Sequence, residues 1–189
     1  MINPAEYKED LYLVTKKAYE QYPLKYRPSL IKEKFIADIS QWKQRKVYAA
    51  FYKETGDLKG YLWINEYKSY VDFCCLKSDP EYEKHGINAA LVYAIVTHYS
   101  GKLNNGFYIC DGVRATLHET KFQDYLEKYF GFRKAYCRLH MLYRFPIGYI
   151  INLIFPMRGF IKSKGKISSK LWTVLKLEEI SRNSEQYMN

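Results

Sequence analysis

Three groups of residues in this chain have the types and spacing to do chemistry. The stretch DPEYEKHGINAALVYAIVTHY, residues 79–99, passes from a charged loop directly into a helix that is apolar nearly all round. A strand, a loop with outward backbone amides and a helix N-terminus together make an anion site. Unspent N–H groups and the helix dipole both favour negative charge there, and a pyrophosphate fits. The second group is the loop CDGVRATLHET, residues 110–120, where Asp111, Arg114, His118 and Glu119 crowd together. Arg114 can hold a phosphate or carboxylate through paired hydrogen bonds, and His118 can serve as a base near neutral pH. The plain alternatives for this loop are an Asp-Gly turn, a surface arginine and a helix-capping region. The third group is Asp72, the one carboxylate inside YVDFCCL, with Glu66 at the end of the neighbouring strand. A charged residue within a strand lies either on the wet face or in a site.

The elements that must position these groups follow from periodicity. Leu11, Val14, Thr15, Ala18 and Tyr22 fall at helical spacing, and Pro23 stops the pattern. Pro28 and Ser29 make a start and cap for a second helix carrying Ile31, Phe35, Ile39 and Trp42. VYAAFY and GYLWIN, joined by the turn formers of KETGDLK, predict a hairpin, and YVDFCCL predicts a third strand antiparallel to the second. The apolar helix, a short strand FYIC and a helix over ETKFQDYLEKYF come next, with Gly131 as C-cap. FRKAYCRLHMLYRF predicts a last strand, with Cys137, Leu139, Met141 and Tyr143 on one face and Arg138 and His140 on the other. The order is ααβββαβαβ, followed by a C-terminal segment with an amphipathic stretch, a basic turn KSKGKISSK and a final helix.

Composition bounds the class. A chain of 189 residues, 48% apolar, suits one domain, or one domain plus an extension. The longest apolar run, FPIGYIINLIFPM, is too short to span a bilayer, and the first residues do not read as a secretory signal, so a cytoplasmic location is expected. The four cysteines lack CxxC spacing and read as small buried hydrophobes. No HExxH, paired His/Cys set or Ser-His-Asp arrangement stands out, and no metal is expected. The net charge of +10 is uneven: residues 1–132 hold 19 Lys and Arg against 17 Asp and Glu, and residues 133–189 hold 11 against 3. The C-terminal end therefore reads as a basic surface for a phosphate-rich partner such as tRNA, an anionic membrane surface or a cofactor, or simply as a solvated basic face.

The junction resembles the GNAT acetyltransferase superfamily, whose motif runs approximately P-E-Y-R-G-x-G-I-G-x-x-L-L between a strand and a helix. PEYEKHGINAALV matches at Pro80, Glu81, Tyr82, Gly86, Ile87, Leu91 and Val92, and DYLEKYFGFRKAY echoes a second landmark at Gly131 and Phe132. The resemblance covers about residues 5–144. It implies an α+β fold with a mixed, mostly antiparallel central sheet flanked by helices: a GNAT-like domain over 1–144 and a basic C-terminal helical extension over 145–189. It also implies acetyl-CoA or another acyl-CoA held by Glu83, Lys84, His85, Gly86, Ile87, Asn88 and Ala89, with a backbone amide from Cys75, Leu76 or Lys77 for the thioester oxygen. The chain departs from the motif at Glu83, Lys84 and Asn88, which stand where the family has Arg or Gln, Gly and Gly. A carboxylate repels a pyrophosphate, and an asparagine at a glycine position suits a left-handed backbone but crowds close approach.

Acyl transfer to an amine needs a base, donors for the thioester oxygen and an acid for the thiolate. Asp72 or His118 can be the base. The family's tyrosine acid falls on Glu127, and Tyr125 or Tyr129 can replace it or else pack in an aromatic core. Asp111 and Arg114 are the candidates for holding substrate. The leading expectation is an enzyme, an N-acetyltransferase acting on a small amine or amino sugar. The alternatives are a transferase of the same fold that uses aminoacyl-tRNA, and a non-catalytic binding protein in which Glu83 and Asn88 record a lost cofactor site.

Overall fold

The computed structural model of the chain describes residues 1–24, 27–42, 45–103, 105–111, 121–135, 139–161 and 166–183. It divides into two compact units, Met1–Gly112 and Val113–Asn189, a division earlier than the one at residue 144 that the sequence suggests.

The first unit opens with α1 (Lys8–Glu20) and α2 (Lys32–Ile39). On α1 the helical spacing buries Leu11, Val14 and Thr15. The predicted cap at Ser29 does not form: α2 starts after Ile31, which is extended and offers no side-chain cap. Three strands follow, β1 (Arg45–Phe51), β2 (Leu58–Glu66) and β3 (Tyr70–Ser78), then α3 (Ile87–Leu103) and β4 (Tyr108–Cys110). The sheet order is β1-β2-β3-β4, antiparallel except for the parallel pair β3 and β4. A parallel pair needs a crossover, and α3 supplies it, so its N-terminus stands at the C-terminal end of β3.

Alternation sorts the sheet into two faces. Val47 pairs with Trp63 and Ala49 with Tyr61, and directly opposed residues share a face. That face packs on α1 and α2 in a core of Leu11, Val14, Ile39, Trp42, Val47 and Tyr61. The hydroxyls of Thr15 and Tyr61 satisfy each other within it (2.7 Å). Leu62 and Ile64 alternate to the other face, where α3 buries a single stripe, Leu91, Val92, Ile95 and Tyr99. The rest of this apolar helix is exposed or half-buried, Tyr93 being 66% exposed.

The second unit contains α4 (Phe122–Phe130), α5 (Ile147–Ile154), a 3₁₀ helix (Phe155–Phe160) and α6 (Lys166–Asn183). Gly131 ends α4 in the left-handed conformation at φ 67° with ψ 21°, and the N–H of Phe132 bonds back to Leu126 (3.3 Å), as its place in the sequence predicts. Part of the predicted basic turn, from Lys166 on, is helical.

The predicted last strand is corrected. The described residues of 132–144 form no ladder, and 136–138, with Cys137 and Arg138, lie outside the described residues. Burial still alternates, Leu139, Met141 and Tyr143 being half-buried and His140, Leu142 and Arg144 exposed. Side chains of α6 take the place of strand partners: Ser181 donates to the carbonyl of Leu139 (2.6 Å), and the Tyr143 hydroxyl donates to Glu178 (2.6 Å). Among the described residues no helix is long and apolar enough to cross a membrane.

Candidate functional site

The site in the first unit starts where β4 stops. β3 and β4 pair only at Tyr70 with Tyr108, Val71 with Ile109 and Asp72 with Cys110. From residue 73 to 78, β3 runs on with β2 on one edge and no β4 partner on the other. Its pairing with β2 slips one residue later: Ile64 pairs with Phe73 and Trp63 with Cys75, so Cys74 is an extra, bulged residue. A bulge bends and twists its strand, and bulges gather where backbone must be re-aimed. Cys75, Leu76 and Lys77 thus lie on the half of β3 that β4 leaves open.

Asp72 sits at the branch point. It is half-buried, Cys110 Sγ donates to its Oδ1 (3.7 Å), and burial holds its carboxyl above the usual aspartate range despite that bond. Asn65, its β2 partner, alternates onto the α1 face with Trp63, so Asp72 faces that side too. Glu66 shows the opposite environment. Its carboxylate pairs with Lys46 and accepts from Tyr99 (3.0 Å) and Lys102 (3.1 Å), and bonding led by Lys46 outweighs burial and lowers its pKa to about 2. Of these two carboxylates, Asp72 is the better proton acceptor.

Beyond β3 the chain turns through a 3₁₀ helix, Pro80–His85, into α3. The turn is anchored from beneath. Asp79, 2% exposed, accepts the N–H of Glu81 (3.2 Å) through Oδ1 and Lys17 Nζ (2.7 Å) through Oδ2, and its own N–H bonds to Lys59 (2.8 Å). Sequence reading passed over this residue, although an aspartate before a proline that opens a helical turn is a capping signal. Gly86 then takes the left-handed conformation (φ 79°), with nothing within 4 Å of where a Cβ would stand. The α3 ladder begins with the N–H of Ala90 on Gly86 (2.9 Å), so the N–H groups of Ile87, Asn88 and Ala89 have no intrahelical acceptor. Gly60 of β2 seats this helix start, since a Cβ there would stand 2.5 Å from Cγ2 of Ile87.

The departures from the motif have definite places. Glu83, Lys84 and His85 are exposed on the 3₁₀ helix, and Glu83 Oε1 accepts from the buried Ser78 hydroxyl (2.9 Å). Asn88 is helical and not left-handed; Gly56, Gly86, Gly106 and Gly131 are the described residues with positive φ. Its Oδ1 is buried without a hydrogen-bond partner among the described residues.

The first unit therefore carries Asp72 and residues 75–77 along β3 and residues 83–89 on the turn that follows it, with Asp111 directly after β4. Arg114, His118 and Glu119 lie outside the described residues. Tyr125 and Tyr129 belong to α4 of the second unit, where their rings are 5.2 Å apart. Tyr125 is half-buried, which pushes its hydroxyl pKa up, and Tyr129 is 62% exposed.

The residues present fit coenzyme A on two counts. Three backbone N–H groups at a helix start, with no acceptor among the described residues, suit a pyrophosphate, and the bare Cα of Gly86 allows close approach. The Glu83 carboxylate opposes it, and Glu81 adds a second negative charge to the same 3₁₀ helix.

No family model matches the chain, and no curated protein does so by sequence. Solved structures do match. A probable acetyltransferase aligns over 74% of this chain and 93% of its own, with TM-score 0.56 and 13% identity. A ribosomal-protein-alanine N-acetyltransferase from Brucella melitensis biovar Abortus 2308 aligns over 74% and 95%, with TM-score 0.51 and 9% identity. An aminoglycoside antibiotic 6'-N-acetyltransferase from Acinetobacter baumannii aligns over 74% and 93%, with TM-score 0.50 and 12% identity. The chain has the GNAT fold: a mixed, mostly antiparallel sheet flanked by helices, as the resemblance implies. The last two neighbours are named for different acceptors, so the likeness carries the fold and not the substrate.

Proposed function

We propose that the chain is an N-acyltransferase that moves an acyl group, acetyl in the simplest case, from acyl-CoA to the amine of a small molecule or amino sugar. The observation that carries this reading is the length of β3 beyond Asp72, which among the described residues has no strand partner on its second edge, next to a helix start whose first N–H groups have no acceptor among those residues. Bound acyl-CoA would supply an acyl group activated as a thioester. In this reading the N–H groups of Ile87, Asn88 and Ala89 hold the pyrophosphate, and a backbone N–H between Cys75 and Lys77 donates to the acyl oxygen. Asp72 takes the proton from the acceptor's ammonium. Its raised pKa suits the work, because a general base is most effective when its pKa approaches the working pH. For the acid, the reading keeps Tyr125 and Tyr129, and replacing each by Phe tests them separately. Asp111 and Arg114 are proposed to hold the acceptor, with His118 as a second candidate base.

Calorimetric titration with CoA and acetyl-CoA, at low and moderate salt, tests the proposal. Micromolar binding that survives moderate salt is the expected result. Glu83→Gln keeps a partner for Ser78 but removes a repulsion of roughly 1 kcal/mol, so CoA should bind about fivefold more tightly. Glu83→Arg adds an attraction and should tighten it by about tenfold or more. Absence of CoA binding, or weaker binding by the arginine variant, would overturn the assignment of this turn to the pyrophosphate.

A further inference from the structure

Among the described residues of the second unit an apolar surface is exposed. On α5 only Ile151 is buried, and Asn152, its one side chain able to hydrogen-bond strongly besides Tyr149, is tied up by Arg182 (2.5 Å). Tyr149 and Leu153 are 74% and 80% exposed, and Ile147 and Ile150 about half. These residues fall at intervals of three and four, which forms a continuous stripe on the side where a water-facing helix would be polar. Phe160, at the end of the following 3₁₀ helix, is 85% exposed and walls a groove of about 460 Å³ shared with Trp172, Arg158 and Lys176.

We infer that this face docks on an anionic lipid bilayer, with α5 lying in the plane of the interface and Phe160 reaching toward the acyl chains. The inference does not rest on the proposed acyl transfer. Three observations carry it. An eight-residue helix is about 12 Å long, too short to cross a bilayer but suited to lie at its boundary. The exposed side chains are aliphatic and aromatic, the types that enter the headgroup region. The segment around them is basic: residues 133–189 hold 11 Lys and Arg against 3 Asp and Glu, and Arg144 and Lys170 are exposed with no carboxylate partner among the described residues. Charge also weighs against the other occupants. A second copy would bring two basic surfaces together, whereas lipid phosphates neutralise one. Nucleic acid would meet Ile147, Ile150 and Leu153, which neither stack on bases nor pair with phosphate.

The test is sedimentation of the full chain with vesicles of phosphatidylcholine alone and with vesicles containing about one-third phosphatidylglycerol. Binding to the anionic vesicles, weaker at high salt and much weaker to neutral ones, is expected. Leu153→Ser with Phe160→Ser should weaken partitioning by about a hundredfold or more, because each side chain inserted in the interface contributes at least roughly tenfold. Arg144→Gln with Lys170→Gln should weaken binding to anionic vesicles about fivefold per charge. Leu153→Trp should keep binding and shift its emission to shorter wavelength with vesicles. Failure to sediment with anionic vesicles overturns the inference, as does sedimentation that ignores the serine pair. So does a dimer that the serine pair dissolves in the absence of vesicle binding, or an RNA complex indifferent to it.

Discussion

Glu66 gives the sharpest stability prediction. Three donors converge on one carboxylate at the end of β2, from Lys46, Lys102 and the Tyr99 hydroxyl, and its side chain is only 23% exposed. Its pKa falls from an ordinary 4.5 to about 2. A depressed carboxylate stabilises the fold above its unfolded pKa and loses that contribution as pH falls through the folded one. The window is therefore pH 4.5 down to about 2. At about 1.4 kcal/mol per unit, the contribution at neutral pH is about 3 kcal/mol, with about 1 lost by pH 4 and about 2 by pH 3. Urea unfolding of the wild type and of Glu66→Gln across this range measures it. The variant should be less stable by about 2–3 kcal/mol at pH 7, and the gap should narrow steadily below pH 4.5. A gap of the same size at pH 7 and pH 3 would refute the reasoning, because the loss would then come from packing and not from charge.

Three more perturbations address the site. Asp72→Asn should lower acyl transfer by about 10²- to 10⁴-fold while leaving CoA affinity unchanged, and the wild-type rate should show an acid limb set by a carboxyl above the usual aspartate pKa; an unchanged rate would remove Asp72 as the base. Gly60→Ala drives a Cβ to 2.5 Å from Ile87 and should cost about 1–3 kcal/mol in urea unfolding while weakening CoA binding through the displaced helix start. Asp79→Ala removes both a cap and the buried partner of Lys17, so a loss of about 3 kcal/mol is expected in thermal unfolding, together with weaker CoA binding.

Much of the first unit was legible because its signals are local. Runs rich in β-branched and aromatic residues at 47–52, 60–65 and 70–76, separated by turn formers, marked three strands, helical spacing placed Leu11, Val14 and Thr15 inward, and a glycine after an amphipathic run marked the end of α4. What escaped reading depends on distant partners. YVDFCCL reads as one uninterrupted strand, and the extra residue Cys74 appears only in the pairing with β2. Residues 132–144 alternate as a strand would, yet a ladder needs a neighbour. Here α6 supplies Ser181 and Glu178, about forty residues on, as side-chain partners. Lys17 and Asp79 are 62 residues apart, so nothing near either one announces the ion pair that anchors the turn before α3. Asp72 was legible as a strand carboxylate, but whether it stands on a wet face or at a site depends on where β4 ends.

The motif departures separate into two physical kinds. A glycine is required where φ is positive, and in this turn that place is Gly86 alone; Lys84 and Asn88 have negative φ and need no glycine for the backbone to follow its path. Losing those two glycines therefore leaves the helix start and its N–H groups in place, at the expense of bare surface beside them. Glu83 differs in kind, because it sets a negative charge on the turn that leads into those N–H groups, held by Ser78 from the end of β3. Backbone shape and local charge thus point in opposite directions at one anion site. The contest turns on magnitude: an exposed carboxylate is screened by water to roughly 1 kcal/mol, whereas three aligned N–H groups and a helix dipole act at contact distance. On that balance the turn keeps its preference for an anion, with an affinity that a single charge change should raise.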